Sequence, residues 1–332
     1  MIDLGDGIWA TAEAIETAKS LDTIIFDVDG VLLDVSQSFR KVSSITCQYY
    51  LTRTLGWPDD GLFFAPSETE LFKRVGGFNS DWSLTNTATL LFLAKGIDAQ
   101  DRSAATLRAL SPTLEEYTAV IGERGGGEDA AIAYLREVIP PDAMQRGLDA
   151  WDTALLERIF CEYYAGRSHC KRIYGFEPGI VDQEIGELTK ENVIIRANDL
   201  PSAFQYGIVT GRVRGELDVA MEMTNLDGHV APGATMTADD GMHKPDPNGL
   251  IALADFMHPS TAAFVGDTLD DMRTVHNYRK VRETPAFLAC QVLTGPAGER
   301  NRQFFADRGA DVIAPNVNAL VGWLAKQRNG KP

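Results

Sequence analysis

Residues 23–34 read TIIFDVDGVLLD, an apolar run that ends in two aspartates, Asp27 and Asp29, and closes on a third, Asp34. Carboxylates at the end of so apolar a segment cost free energy unless they are paired or bind something. TIIF is continuously apolar rather than alternating, as expected of a central parallel strand covered by helices on both faces. In an open α/β sheet, ligands gather beyond the carboxyl ends of the strands. Residues i and i+2 of extended chain point the same way, so both carboxylates can face one such site. Gly30 then lets the chain turn. A surface turn built on Asp and Gly fits these letters equally well, so the rest of the chain has to decide.

Apolar runs of the same kind recur at YGIVT (206–210), TAAFVGD (261–267), AFLACQVL (286–293) and DVIA (311–314). Between them NGLIALADFM (248–257) and VNALVGWLAK (317–326) carry helical spacing. The second half therefore reads as a strand–helix alternation, an α/β domain with a parallel sheet. Between residues 36 and 202 strand signals nearly vanish. Phe39, Val42, Ile45 and Tyr49 recur at helical intervals, as do Leu84, Leu91 and Leu93, then Leu107, Leu110 and Leu114, then Trp151, Leu155, Ile159 and Tyr163. The expected organisation is a core domain of residues 1–35 and 203–332, interrupted by a mostly α-helical insertion over 36–202 with hinges near residues 35 and 202. ERGGGED (123–129) reads as a flexible loop of the insertion.

With 332 residues, 44% of them hydrophobic, the chain can bury a sizeable core. Its formal charge of −16 and pI near 4.7 argue against nucleic acid or an anionic membrane as partner, and require a local positive site for any anionic substrate. The first 22 residues carry acids where a secretory signal carries Lys or Arg, and no apolar stretch approaches the ~20 residues of a membrane span, so a cytoplasmic location is expected. Cys47, Cys161, Cys170 and Cys290 show no zinc spacing and read as reduced, partly buried thiols. His169 beside Cys170 reads as part of a loop, since two adjacent soft ligands lack a second pair.

Three further segments decide what the strand-end acids are for. YGIVTGR ends a strand with Thr210, Gly211 and Arg212, a hydroxyl and exposed amides able to hold phosphate oxygens. HKPDP supplies Lys244 beside two prolines that fix the local backbone. FVGDTLDD sets Asp267 at another strand end, followed by Asp270 and Asp271, and carboxylates gathered from separate strands are what a hard cation such as Mg²⁺ selects.

These pieces in this order, DxDGVLxD, TGR, KPxP and GDxxxD, resemble the haloacid dehalogenase superfamily, and an insertion between the first and second is similar to its subfamily IA, whose members carry a helical cap. DVSQSFRK (34–41) and GGFNSDWSLT (76–85) add a closer likeness to one group within it. The resemblance implies a doubly wound, Rossmann-like parallel sheet and a Mg²⁺-dependent phosphatase. Asp27 would be the nucleophile that becomes an aspartyl-phosphate. Asp29 would protonate the leaving alcohol and later deprotonate water. Mg²⁺ would be held by Asp27, the Asp29 carbonyl and Asp267, with Asp271 supporting or ligating, while Asp270 reads as a helix-start acid. Lys244 would neutralise Asp27 and a phosphoryl oxygen, with Thr210 and Gly211 binding others. Asp34 belongs to the signature in a structural part, and Arg212 is as compatible with solvent as with the site. An acid at position 29 argues against halide chemistry, whose leaving group needs no proton.

Specificity would lie in the cap. FKRVGGFNSDWSLT (72–85) is similar to a substrate-facing loop, which makes Lys73, Arg74, Asn79 and Trp82 candidate contacts and assigns Gly76 and Gly77 a close backbone approach; Arg40 is a weaker candidate. Residues 100–170 have no counterpart, and their helices could narrow the entrance or form the surface of a homodimer. The substrate implied is a small phosphorylated metabolite. A phosphomutase shares every core motif, and a non-catalytic regulatory protein retaining the fold is the reading from another class.

Overall fold

The computed structural model describes residues 1–78, 80–295 and 298–330. The chain divides into two compact units, residues 1–35 with 192–332, and residues 36–191.

The first unit holds the sheet. Its strands in chain order are β1 (Ile2–Asp3), β2 (Trp9–Ala10), β3 (Thr23–Phe26), β4 (Leu33–Asp34), β5 (Asn192–Val193), β6 (Gln205–Val209), β7 (Val230–Met236), β8 (Thr261–Gly266), β9 (Ala286–Val292) and β10 (Val312–Ala314). Eight form one sheet among the described residues, in the order β1-β2-β10-β9-β8-β3-β6-β7. From β10 across to β7 every pairing is parallel; only the β1–β2 and β2–β10 pairs are antiparallel. All four residues of β3 are buried, as are all six of β8, which is why both read as unbroken apolar runs. The chain is thus α/β and Rossmann-like.

The five strands legible in the sequence are β3, β6, β8, β9 and β10. β7 escapes a sequence reading because VAPGATM carries Pro and Gly; it lies at the sheet edge, where the β6 register shifts between Tyr206 and Ile208 to absorb them. The helices of this unit are α1 (Ala12–Ala18), α10 (Arg214–Thr224), α11 (Asn248–Met257), α12 (Leu269–Val281), α13 (Asn301–Asp307) and α14 (Val317–Arg328).

The expected return to the core at residue 203 is corrected to 192. β5 pairs antiparallel with β4, Leu33 opposite Val193, and Ile194 N donates to Leu32 O at 2.9 Å. Asn318 of α14 then holds the next turn from both sides: its Nδ2 donates to Ile194 O at 2.8 Å and its Oδ1 accepts from Arg196 N at 2.9 Å. Ile195, Ala197 and Phe204 are buried in the sheet's core.

The second unit is helical: α2 (Phe39–Tyr49), α3 (Thr69–Val75), α4 (Asp81–Gly96), α5 (Ala104–Ala109), α6 (Leu114–Glu123), α7 (Gly127–Val138), α8 (Pro141–Asp149) and α9 (Thr153–Tyr174). The spacing of Leu107, Leu110 and Leu114 spans two helices, not one. Pro112, which cannot continue α5, separates them, and Leu110 is exposed. Thr113 then caps α6 through a reciprocal bond with Glu116. His169 and Cys170 lie inside α9 rather than in a loop, and all four cysteines are buried thiols. Glu162, also on α9 and buried, is satisfied by the amides of Gly179, Ile180 and Val181 at 2.7–3.0 Å and by Arg158 Nε at 2.7 Å. No helix of the described residues is long and apolar enough to cross a membrane.

The glycine pairs have a packing reason. Gly127 N donates to Gly76 O at 3.2 Å, and a Cβ at Gly77 would stand 2.6 Å from Gly127 N. One at Gly126, where φ is +90°, would overlap Gly76 O. Only a short turn of ERGGGED lies between α6 and α7, and it is locked against the turn at 76–77. The close backbone approach expected of Gly76 and Gly77 towards a substrate is thus made to the chain itself.

Candidate active site

Three adjacent strands of the first unit end side by side, because β6, β3 and β8 are neighbours and share register: Phe26 lies opposite both Ile208 and Val265. The residues that follow each strand therefore meet at one edge. Asp27 follows β3, with its N–H on Val265 O at 2.8 Å; Thr210 follows β6; Asp267 follows β8. Asp271 reaches the same place from the first turn of α12. Asp27, Asp267 and Asp271 are buried, and each can present a carboxylate oxygen within 4.8 Å of the other two.

Lys244 lies in the loop after β7. Asn277 of α12 donates to Pro245 O at 3.0 Å and Asn248 N donates to Asp246 Oδ1 at 2.8 Å, so the loop is fixed directly after the lysine. Its buried ammonium meets Asp27 Oδ1 at 2.8 Å and Asp271 Oδ1 at 2.6 Å. Asp271 Oδ2 is committed elsewhere, accepting from Thr268 Oγ1 at 2.6 Å and Thr268 N at 3.0 Å in a capping box that starts α12. With both oxygens engaged, Asp271 serves better to hold Lys244 than to bind a cation directly.

Three buried carboxylates against one ammonium leave net negative charge out of water, which a divalent cation would offset, and an all-oxygen donor set suits Mg²⁺. The space around Asp267 is kept open for its carboxylate by glycines. At Gly30, where φ is +71°, a Cβ would overlap the Asp267 carboxylate, and one at Gly295 would collide with Asp267 Oδ2. Thr294 Oγ1 donates to Gly30 O, tying the loop after β9 to the turn at Gly30. Sequence reasoning missed Thr294 and Gly295; the signal was a Thr-Gly pair directly after an apolar run.

The electrostatics follow from burial. Without a cation, burial pushes the Asp27 carboxyl up to about 7; Lys244 opposes the rise, and the charges of Asp271 and Asp29 add to it. Burial alone would lower the Lys244 ammonium, but the two carboxylates outweigh it and hold it above its usual range, so it stays charged.

Thr210 is buried, with its N–H on Met236 O at 3.0 Å and its Oγ1 accepting from Arg212 N at 3.2 Å; Gly211 is half-buried beside it. Arg212, expected to suit solvent as well as the site, is almost wholly buried. Its Nε and Nη2 donate to Asp29 Oδ1 at 2.9 and 2.6 Å. Asp270 is a buried acid in the first turn of α12, 3.7 Å from Arg273.

The other candidates lie in the second unit. Lys73, at the end of α3, is 3.3 Å from Asp81 in the first turn of α4, next to the half-buried Trp82. Arg74 is exposed, Arg40 is half-buried in the first turn of α2, and Asn79 lies outside the described residues.

Over 131 residues, 40% of this chain, the sequence is 24% identical to an imidazoleglycerol-phosphate dehydratase from Phytophthora nicotianae, and the chain spans only a quarter of that curated relative. Among solved structures, a phosphatase from Thermococcus thioreducens shares the fold with a TM-score of 0.55 and 23% identity, covering 92% of this chain and 99% of that one. An X-ray structure from the Northeast Structural Genomics Consortium does so with a TM-score of 0.59 and 20% identity over the same shares. The pattern characteristic of haloacid dehalogenase-like hydrolases matches residues 21–277, a span that contains β3, β6, β8 and every acid and base gathered at their ends. The chain belongs to the haloacid dehalogenase-like hydrolases.

Proposed function

We propose that the protein is a magnesium-dependent phosphatase that hydrolyses a small phosphorylated metabolite through an aspartyl-phosphate on Asp27. The observation that carries this reading is the buried group of Asp27, Asp267 and Asp271 around the Lys244 ammonium, with Asp29 two residues from Asp27 on the same strand end.

Asp27 is the nucleophile. Its oxygen bonds to phosphorus as the ester bond breaks, and the electron pair of that bond stays on the leaving oxygen, which takes a proton from Asp29. Water then attacks phosphorus and gives a proton to the Asp29 carboxylate, the Asp27–phosphorus bond breaks, and inorganic phosphate departs with both side chains restored. Lys244 favours the anionic form of Asp27 and balances charge on the phosphoryl oxygens, where Thr210 Oγ1 and the Gly211 amide also donate. Asp27, the Asp29 carbonyl and Asp267 would hold Mg²⁺, with Asp271 supporting them through Lys244. When bound, the ion offsets the repulsion between an anionic nucleophile and an anionic ester. On a chain of net charge −16, that local positive charge is what draws the substrate.

Substrate choice falls to the helical unit, with Arg40, Lys73, Arg74, Asn79 and Trp82 as contacts to test. A panel of phosphorylated sugars, amino-alcohol phosphates and nucleotides, assayed with Mg²⁺ and with chelator, reads the proposal directly. Phosphate release that chelator removes is expected. Isomer formation from a sugar phosphate without net phosphate loss would make the protein a mutase, and no turnover across the panel would leave it a binding protein.

A further inference from the structure

Arg212 is the bulkiest of the fully buried side chains, and a guanidinium taken out of water is costly unless its pairing is good. One partner is Asp29, across from the neighbouring strand end. The Arg212 side chain is 1% exposed and that of Asp29 29%, so the arginine is the enclosed member of the pair and the aspartate faces outward. The backbone beneath it is fixed, since Arg212 N donates to Thr210 Oγ1 at 3.2 Å and Arg212 O accepts from Ala238 N at 3.0 Å. Nε and Nη2 converge on one oxygen, Oδ1, at 2.9 and 2.6 Å, and Oδ2 takes no part in the pair.

We propose that Arg212 is the positioning residue for Asp29: by fixing Oδ1 from two nitrogens it presents Oδ2 to the oxygen leaving phosphorus. This rests on the reading of Asp29 as the proton carrier. As the phosphorus–oxygen bond breaks, its electron pair stays on the leaving oxygen, the proton passes to that oxygen from Asp29 Oδ2, and Asp29 is left as a carboxylate paired with Arg212. A fork with two nitrogens spent on one carboxylate oxygen orients that carboxylate, where a lysine could offer only a point charge. The effect of Arg212 therefore falls on substrates whose leaving group must be protonated.

The test compares Arg212→Met and Arg212→Lys with the wild-type protein, in Mg²⁺, on glycerol 2-phosphate and on 2,4-dinitrophenyl phosphate, whose phenolate leaves without a proton. Arg212→Met is expected to lower kcat on the alkyl ester about 10²-fold with KM changed less than about threefold, and to lower turnover of the dinitrophenyl ester at least tenfold less. Arg212→Lys recovers part of the loss. In an Asp29→Asn background, Arg212→Met adds little further loss. Equal losses on both esters, or an effect confined to KM, would make Arg212 a phosphate ligand or a structural residue and overturn the proposal. A wild-type protein that cleaves neither these esters nor any member of the panel above would instead sink the phosphatase reading. In that case the thermal cycle of Asp29→Asn and Arg212→Met still decides the coupling: non-additive shifts in Tm support it and additive shifts refute it.

Discussion

Asp27→Asn is expected to abolish magnesium-supported phosphate release, by at least about 10⁴-fold, while the protein remains folded. The substitution keeps the shape of the side chain but removes the atom that bonds to phosphorus. It also gives a signature in stability. Without a cation the Asp27 carboxyl sits at about 7 in the folded chain against an ordinary 3.8, because burial disfavours its charge. A carboxyl raised in the folded state contributes stability that is fully present below its unfolded value and is lost as pH climbs through about 7. In chelator, the Tm of the wild-type protein should therefore fall relative to Asp27→Asn between pH 5 and 8. Added Mg²⁺ should raise the wild-type Tm at pH 8 and leave the variant nearly unmoved. Differential scanning calorimetry across that range checks both, and parallel curves would deny that Asp27 is the buried, cation-seeking acid.

Lys244→Met should be the change at the site that costs the most stability. The ammonium lies between Asp27 and Asp271, with all three side chains at most 6% exposed. Removing it leaves two buried carboxylates facing each other. Breaking a buried pair in this way costs about 3–5 kcal/mol. At roughly 2 °C per kcal/mol for a chain of this size, Tm should drop by about 6–10 °C. Activity should fall at least about 10³-fold, since the charge that balances the phosphoryl oxygens goes with it. Mg²⁺ should restore part of the lost Tm by neutralising the carboxylates, but none of the activity. An unchanged Tm would mean that the lysine is solvated rather than enclosed.

What the sequence reveals and what it hides divide along physical lines. β3, β6 and β8 were legible because strands buried on both faces need unbroken apolar runs, and the acids after them stood out as charge where charge is costly. β1, β2, β4 and β5 have two residues each, too few to carry a period. β7 hid behind Pro and Gly at an edge that tolerates them. The return at Asn192 was invisible because side-chain bonds to Asn318, more than a hundred residues away, hold it in the core. Arg212 was ambiguous for a simpler reason: charge predicts exposure, and its pairing with Asp29 across the strand becomes visible only in the fold. At Gly76 and Gly77 the need for close approach was readable, but not that the partner is another glycine turn.

Rapid mixing with Mg²⁺ and a substrate from the panel, followed by acid quench, borohydride reduction and mass spectrometry of the peptide that carries residues 23–34, examines the chemistry itself. Homoserine at position 27, formed only when substrate and Mg²⁺ are both present, is the predicted result. Efficient hydrolysis with residue 27 untouched, or with the phosphoryl group trapped on another side chain, would contradict the assignment of Asp27 as the residue that bonds to phosphorus.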